Sequence, residues 1–131
     1  MMSDFDIREF YDRYCDMLNA HEFDRMDEFM GDSIISHGQT ADRATVIAHL
    51  KGITEAVPDM HWEIKEVAIN GGVLACHSVN HGTPVKEWLG VTPNGKKIEI
   101  DEFALYVISD GKFQQMSNVH DAVALKKQLE G

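Results

Sequence analysis

The sequence predicts an α+β domain in which helices come first and an antiparallel sheet follows. Apolar residues recur at helical spacing between Ile7 and Val57, whereas from Met60 onward they alternate as they do along strands. The segment 97–109 is apolar on both parities, so both of its faces need a cover. We expect the helices to supply one cover and a partner subunit the other. A chain of 131 residues suits a single domain, 1–131.

Three helices are predicted ahead of the sheet. The first has Ser3 as its N-cap, the second is short and ends at Gly31, and the third covers Ala41–Val57. A short strand, Ser33–His37, separates the second helix from the third. The helical residues predicted to face the core are Ile7, Phe10, Tyr11, Tyr14, Leu18, Phe23, Met26, Phe29, Met30, Ala44, Ile47, Leu50 and Thr54.

Four longer strands are predicted after Pro58, because this proline disfavours helix at Val57 and the residues that follow it alternate. The turn signals Asn70-Gly71-Gly72, Asn94-Gly95 and Asp110-Gly111 separate or flank the strands. The predicted elements are strands over 60–70, 73–82, 97–109 and 112–121 and a closing helix over Ala122–Leu129.

Several short motifs follow one another in the second half of the chain. Pro58-Asp59-Met60-His61-Trp62-Glu63 is followed by Gly82-Thr83 and then by Leu89-Gly90. Their order over residues 37–129 resembles that of the SnoaL-like polyketide cyclases, also called predicted ester cyclases, of the NTF2-like superfamily. The resemblance implies a cone with an internal pocket, formed by a curved antiparallel sheet wrapped around N-terminal helices. It also implies a homodimer joined through the outer sheet face.

The chain is strongly acidic, with 22 Asp and Glu against 12 Lys and Arg and a formal net charge of -10. This charge repels phosphate backbones, so we expect no nucleic-acid partner. The first ten residues carry three acids and no apolar run, and no stretch is long enough to span a membrane. We therefore expect a soluble, cytoplasmic protein that has neither a signal peptide nor a membrane partner.

The cysteines and histidines lack the spacing of a metal site. Cys15 and Cys76 are isolated in the sequence, and buried, reduced thiols are the simplest interpretation. Among seven histidines only His77 and His81 have a tempting spacing, but on a strand they lie about 13 Å apart. We expect no metal and no cofactor, with distant histidines that the fold brings together as the alternative.

Asp121 is the first candidate for acid/base chemistry. The resemblance implies a catalytic acid at this position, and a carboxylate at the mouth of an apolar cone would have a raised pKa. The alternative is that Asp121 caps the closing helix at Ala122. The resemblance also places His37 at the pocket, where it could stabilise an enolate by a hydrogen bond. A backbone contact at the strand end is the alternative for His37.

A second group of residues is predicted to line the pocket. Ser78 and Asn80 share one face of their strand. Ser78 and Ser117 stand where relatives tend to carry Trp, so we expect a wider and more polar cavity. The predicted substrate-binding residues are Trp62, Ser78, Asn80, Glu102, Tyr106 and Ser117. A solvated edge position is the alternative for Glu102, and a core role is the alternative for Trp62.

Three functions are compatible with these residues. The resemblance implies a cofactor-independent enzyme that carries out aldol-type cyclisation, isomerisation or hydrolysis of a small apolar or polyketide-like metabolite. A binding protein of the same fold without catalysis is the main alternative, because fold does not decide function. A protein–protein scaffold is the third. Enzyme and binder differ in whether Asp121 reaches the cavity beside a polar group such as His37 or Asn80.

Overall fold

The computed structural model describes residues 5–130, in which two helices, two strands and a third helix precede four consecutive strands and a final helix. The helices are α1 (Ile7–Asn19), a 3₁₀ helix (Phe23–Glu28), α2 (Arg43–Ala56) and α3 (Ala122–Leu129). The strands are β1 (Met30–Ser36), β2 (Gln39–Asp42), β3 (His61–Asn70), β4 (Val73–Gly82), β5 (Ile98–Ser109) and β6 (Lys112–His120). In the described part of the chain, no helix has the length and apolar character needed to cross a membrane.

The strands form one curved, open sheet in the order β2-β1-β6-β5-β4-β3. Together with the helices on its inner face, this sheet confirms the predicted α+β class. One pair departs from the predicted antiparallel arrangement, because β1 runs parallel to β6. A long connection that contains one helix and four strands separates these two strands, which is what a parallel pair requires. The hairpin between β5 and β6 turns at Asp110 and Gly111, both with positive φ, as a tight hairpin turn favours.

Helix α1 holds the core together through aromatic side chains on its buried face. Phe10 and Tyr14 pack against Phe113 of β6, with ring centroids 5.0 and 4.7 Å apart. Tyr106 of β5 lies 5.0 Å from the same ring. Aromatic rings at such separations bury large apolar areas and add a favourable edge interaction. The inner face of the sheet is therefore anchored to α1 at its centre.

The N-cap of α1 differs from the predicted one. The helix begins at Ile7, because the carboxylate of Asp6 accepts a hydrogen bond from the backbone N–H of Glu9 at 3.1 Å. The predicted cap, Ser3, lies outside the described residues. The apolar face predicted for this helix is otherwise confirmed, since Phe10, Tyr11, Tyr14 and Leu18 are all buried.

The second helix ends earlier than predicted. Only Phe23–Glu28 is helical, and it has the tighter 3₁₀ form. Met30 already begins β1, so Gly31 lies within a strand and does not end a helix. Phe29 and Met30 are both fully buried. Both residues are apolar because they lie in the core. Their spacing from Phe23 and Met26 also fits a helix, so the sequence predicted a longer one.

The start of the third predicted helix is also wrong. The sequence places it at Ala41, but residues 39–42 form β2 and pair with β1. The helix begins at Arg43, because the Asp42 carboxylate accepts a hydrogen bond from the backbone N–H of Thr45 at 2.8 Å. Ala44 was predicted to face the core and is exposed.

The inner and outer faces of β5 differ as strand alternation requires. Even-numbered residues such as Ile100, Tyr106 and Ile108 face the helices and are buried. Phe103 and Leu105 point to the opposite side, where 54% and 48% of their surfaces are exposed. The helices thus cover one face of this doubly apolar strand, and the other face is apolar and open in the single chain.

Two of the sequence motifs meet at the end of β4. The Asp59 carboxylate accepts a hydrogen bond from the backbone N–H of Thr83 at 2.7 Å. A Cβ atom on Gly82 would collide with Cγ1 of Val57 and would lie 3.1 Å from Oδ1 of Asp59. The turn that follows α2 therefore packs directly on the backbone of Gly82. The Pro-Asp and Gly-Thr motifs have a shared structural role.

We predict that Gly82→Ala destabilises the protein by about 1–3 kcal/mol, because the added methyl group overpacks this contact. Urea unfolding measures the change. Gly52→Ala is the matched control, since a Cβ there meets nothing within 4 Å on the exposed side of α2. It should stabilise the protein by about 0.5–1 kcal/mol. Equal stability of Gly82→Ala and the wild type would contradict the packing argument.

Candidate functional site

A cavity of about 290 Å³ lies between the inner sheet face and helices α1 and α2. Its walls are mainly apolar and aromatic: Tyr11, Tyr14, Leu18, Ile34, Val46, Leu50, Ile53, Trp62, Ile64, Tyr106 and Met116. Its polar residues are Ser36, His37, Thr45, His49, Ser78, Glu102, Ser117, Asn118 and His120. Within the described chain no lysine or arginine lines it. An apolar cavity with a few convergent polar groups is the usual form of a small-molecule site.

The structure brings six of the eight predicted site residues to this cavity: His37, Trp62, Ser78, Glu102, Tyr106 and Ser117. Trp62 is buried and faces inward, whereas its neighbour His61 is exposed. Ser117 is placed less deeply than predicted. It pairs with the outward-facing Leu105 and also lines a depression on the outer sheet face. The remaining two predicted residues, Asn80 and Asp121, are not among the lining residues.

Asp121 caps helix α3. Its carboxylate accepts a hydrogen bond from the backbone N–H of Ala124 at 2.9 Å, and its side chain is exposed. The position follows from the end of β6 at His120, after which the chain turns into the helix. The capping alternative is therefore confirmed. The structure does not place Asp121 among the residues around the cavity, and its catalytic role stays a prediction.

Glu102 is the charged group of the cavity. It lies on β5, an interior strand between β4 and β6, and is 8% exposed. Its Oε2 accepts a hydrogen bond from Nδ2 of Asn118 at 2.7 Å, and its Oε1 lies 3.4 Å from Nε2 of His120. The alternative of a solvated edge charge is wrong, because the strand has neighbours on both sides. Ser78 is the residue directly opposite Glu102 on β4.

The surroundings of Glu102 act in opposite directions on its ionisation. Burial by itself raises the pKa of this carboxyl, because an apolar environment disfavours charge. The His120 side chain and the amides of Asn118 and Asn80 oppose burial by stabilising the carboxylate. Their combined effect prevails and lowers the pKa of Glu102 from its ordinary value of 4.5. Glu102 is therefore a buried, ionised carboxylate at neutral pH.

His37 lies at the mouth of the cavity, in the turn between β1 and β2. Its backbone has a φ of 52°, in the left-handed region. Its Nε2 lies 3.0 Å from the carbonyl oxygen and 3.2 Å from the backbone nitrogen of Asn118. Protonated Nε2 donates to the oxygen, whereas unprotonated Nε2 accepts from the N–H. The backbone contact predicted as the alternative is present, and His37 also lines the cavity, whereas its role in stabilising an enolate stays a prediction.

Asn118 and His120 are functional candidates that the sequence analysis missed. Both share the inward parity of β6 and face Glu102, since His120 lies directly opposite it in the strand register. Strand alternation could have identified them. The predicted candidate at this end of β6 was instead Asp121, the residue after His120. Trp88 packs its ring edge against the His120 imidazole, with centroids 5.7 Å apart.

The tyrosines around the cavity are neutral hydrogen-bonding groups. Tyr11 Oη donates a hydrogen bond to Tyr106 Oη at 3.4 Å. Burial raises the pKa of Tyr11, Tyr14 and Tyr106, so all three phenols stay protonated. Burial likewise raises the pKa of the Cys15 thiol to about 12. Cys15 is a buried, free thiol, as predicted.

Histidines on the outer sheet face bind carboxylates separately. His77 contacts Asp101 at 2.7 Å, and His81 contacts Glu63 at 2.8 Å. Across residues 5–130, no group of three or more His, Cys, Asp or Glu side chains is arranged to hold a metal ion.

Comparison with known proteins identifies the family of this chain. The family model for SnoaL-like polyketide cyclases matches residues 8–129. A SnoaL-like polyketide cyclase from Agrobacterium tumefaciens strain C58 is similar in structure, with a TM-score of 0.89 at 23% identity over 99% of this chain and 100% of that one. TsrD from Streptomyces laurentii has a TM-score of 0.85 at 15% identity over 98% of each chain.

IdmH from Streptomyces antibioticus has a TM-score of 0.82 at 19% identity over 93% of this chain and 96% of that one. At these identities the likeness shows a shared fold, and it confirms the predicted NTF2-like architecture. A search of proteins with curated functions found no match to this sequence. The family match covers nearly the whole chain, and the protein therefore belongs to the SnoaL-like polyketide cyclase family.

Proposed function

We propose that this protein is a cofactor-independent enzyme that transfers a proton at an enolisable carbonyl substrate in the inner cavity. The observation that carries the proposal is the buried carboxylate of Glu102, ionised and held between His120 and Asn118 in a mostly apolar cavity. An ionised carboxylate has the protonation state that a general base needs to accept a proton from carbon. The reaction class is aldol-type cyclisation, isomerisation or hydrolysis.

The proposed reaction begins when Glu102 accepts a proton from the carbon next to the substrate carbonyl. The electron pair of the broken C–H bond forms an enolate, whose oxygen takes a hydrogen bond from a neutral donor such as the Tyr106 hydroxyl. In a cyclisation, the enolate carbon attacks a second carbonyl of the same substrate. Glu102 then returns its proton to the new alkoxide. Atoms and charge balance without another reactant.

The Glu102 side chain needs support to carry out this role. Asn118 fixes Oε2 by its hydrogen bond, so Oε1 is the oxygen oriented toward His120. The backbone of the same asparagine contacts His37, which couples the cavity mouth to the carboxylate. We infer that Asn118 is a positioning residue for both groups.

A ligand-binding protein without catalysis is the second candidate. It is favoured by the position of Asp121, which the resemblance marks as the catalytic acid and which here caps a helix away from the cavity lining. An apolar cavity that lacks an effective base would bind a metabolite and release it unchanged.

Hydrogen–deuterium exchange at the α-carbon of 2-tetralone, a bicyclic ketone, tests the enzymatic proposal by NMR in D₂O. We expect the protein to accelerate exchange over buffer and Glu102→Gln to lower the rate by about a hundred- to ten-thousandfold. Asp121→Asn is the matched control, because Asn caps helices as well as Asp does. It should keep the wild-type rate.

Two other results of this assay would change the interpretation. Loss of exchange in Asp121→Asn with normal exchange in Glu102→Gln would transfer the catalytic role to Asp121. No acceleration by the wild type would favour the binding protein. Parallel folding of the variants is checked by thermal unfolding.

We also propose that a second copy of the chain covers the outer sheet face. Phe103, Leu105 and Val119 are adjacent on this face, with 54%, 48% and 66% of their surfaces exposed. They border an outer depression of about 550 Å³ that is also lined by Ala75 and Val67. A contiguous apolar patch of this kind marks an interaction surface, and a two-fold dimer would join the same patch of both subunits.

Sedimentation velocity should therefore give twice the chain mass of 14.8 kDa. Leu105→Glu should shift the protein to a monomer, because two buried glutamates would face each other near the two-fold axis. Val85→Glu is the control, since Val85 is 58% exposed but lies in the connection after β4. A wild-type monomer, or a dimer that persists in Leu105→Glu, would contradict this assembly.

A further inference from the structure

Three buried polar atoms in the described chain have no hydrogen-bond partner, and they belong to two adjacent residues. They are Nδ2 and Oδ1 of Asn80 and Oε1 of Glu102, whose 3.4 Å contact with Nε2 of His120 is an ion-pair contact without hydrogen-bond geometry. Asn80 is 0% exposed. Its amide lies close enough to Glu102 to lower the pKa of that carboxyl, without a hydrogen bond of normal geometry. Buried polar atoms are nearly always paired, because burial removes their hydration.

The unpaired atoms lie next to the inner cavity. Asn80 faces inward on β4 and pairs across the sheet with Trp62, which lines the cavity. Ser78, two residues earlier on the same face, also lines it and lies opposite Glu102. Asn80 itself is not a lining residue, and the lining residues Ser78 and Glu102 are its neighbours on the inner face.

The chemistry of these atoms selects one kind of ligand group. Oε1 of an ionised glutamate only accepts hydrogen bonds, whereas the Asn80 amide offers one donor nitrogen and one acceptor oxygen. A hydroxyl both donates and accepts, so it can pair with Oε1 and with Nδ2 together. A carbonyl cannot donate to Oε1. A ligand carboxylate would bring a second negative charge to Glu102, with no described lysine or arginine in the lining to offset it.

We propose that Asn80 and Glu102 form a subsite for the hydroxyl of an uncharged ligand, either an enol or a phenol. The inference rests on the proposed function, because an enolisable substrate presents this hydroxyl in its enol form. It adds a specificity residue, Asn80, and a ligand class to the cavity.

Isothermal titration calorimetry with three naphthalene probes tests the subsite without any turnover. The probes are 2-naphthol, 2-methoxynaphthalene and 2-naphthoate, which share a ring system and differ in one group. We expect 2-naphthol to bind about tenfold or more tightly than the methyl ether, and 2-naphthoate to bind most weakly. In Asn80→Leu the preference for the hydroxyl should fall by at least about threefold.

Thermal unfolding separates a binding role of Asn80 from a structural one. Asn80→Leu removes an unpaired buried amide and also the stabilising effect of that amide on the Glu102 carboxylate, so the Tm of this variant should stay close to that of the wild type. Asn19→Leu is the matched control. The Asn19 amide donates to the carbonyl oxygen of Trp62 at 3.0 Å and accepts from its N–H at 2.8 Å, so this variant should have a lower Tm.

Equal affinity of the wild type for 2-naphthol and its methyl ether would overturn the proposal, as would failure of all three probes to bind. A hydroxyl preference that survives in Asn80→Leu would also overturn it, as would a Tm of that variant as low as that of Asn19→Leu. Loss of ketone exchange in Glu102→Gln without any hydroxyl preference would reject the subsite and leave the proposed function standing. Hydroxyl preference without exchange would reject the proposed function and leave the subsite standing.

Discussion

The buried negative charge of Glu102 is the constraint around which the inner half of the fold is organised. An isolated carboxylate in an apolar cavity is unstable unless other groups replace its hydration. Asn118 and His120 on β6 supply that replacement, and Asn80 on β4 lies beside it. The backbone of Asn118 also contacts His37 at the end of β1. Contacts from His37 through Asn118 to Glu102 and Asn80 thus connect the neighbouring strands β1, β6, β5 and β4.

The apolar frame explains why these polar groups are held in place. Helix α1 fixes the centre of the sheet through Phe10 and Tyr14, which pack on Phe113. The contact between the turn after α2 and Gly82 fixes the end of β4, which carries Asn80. Groups on the interior strands of a sheet have little freedom to move, so their mutual geometry is preorganised. This rigidity is what acid/base chemistry at a single carboxylate requires.

Much of the fold could be predicted because its long strands and first helix have a clear apolar period. The short strand β2 could not, since the run Thr40-Ala41-Asp42 also fits the entry to a helix and only pairing with β1 decides between them. The parallel pairing of β1 with β6 depends on contacts between segments about eighty residues apart in the chain. No local pattern contains such information.

Strand alternation predicted several cavity residues correctly, among them Ser78 and Tyr106. The prediction for Asp121 rested on the family resemblance instead, and in the structure His120 lines the cavity while Asp121 caps a helix. The sequence does not determine which residue ends β6. A shift of one residue decides whether His120 or Asp121 enters the cavity. The ionisation of Glu102 could not be predicted either, because burial and the polar neighbours act in opposite directions and only their distances show which prevails.

The central claim is that Glu102 is ionised inside the cavity, and its own titration tests this most directly. Side-chain ¹³C NMR of protein labelled at the glutamate carboxyl carbons follows each titration, with Glu102→Gln to assign the signal. We predict a midpoint below the ordinary value of 4.5, so that the carboxylate is the form present at neutral pH. A Glu102 carboxyl that stays protonated at neutral pH would contradict the account, because a protonated acid cannot serve as the base.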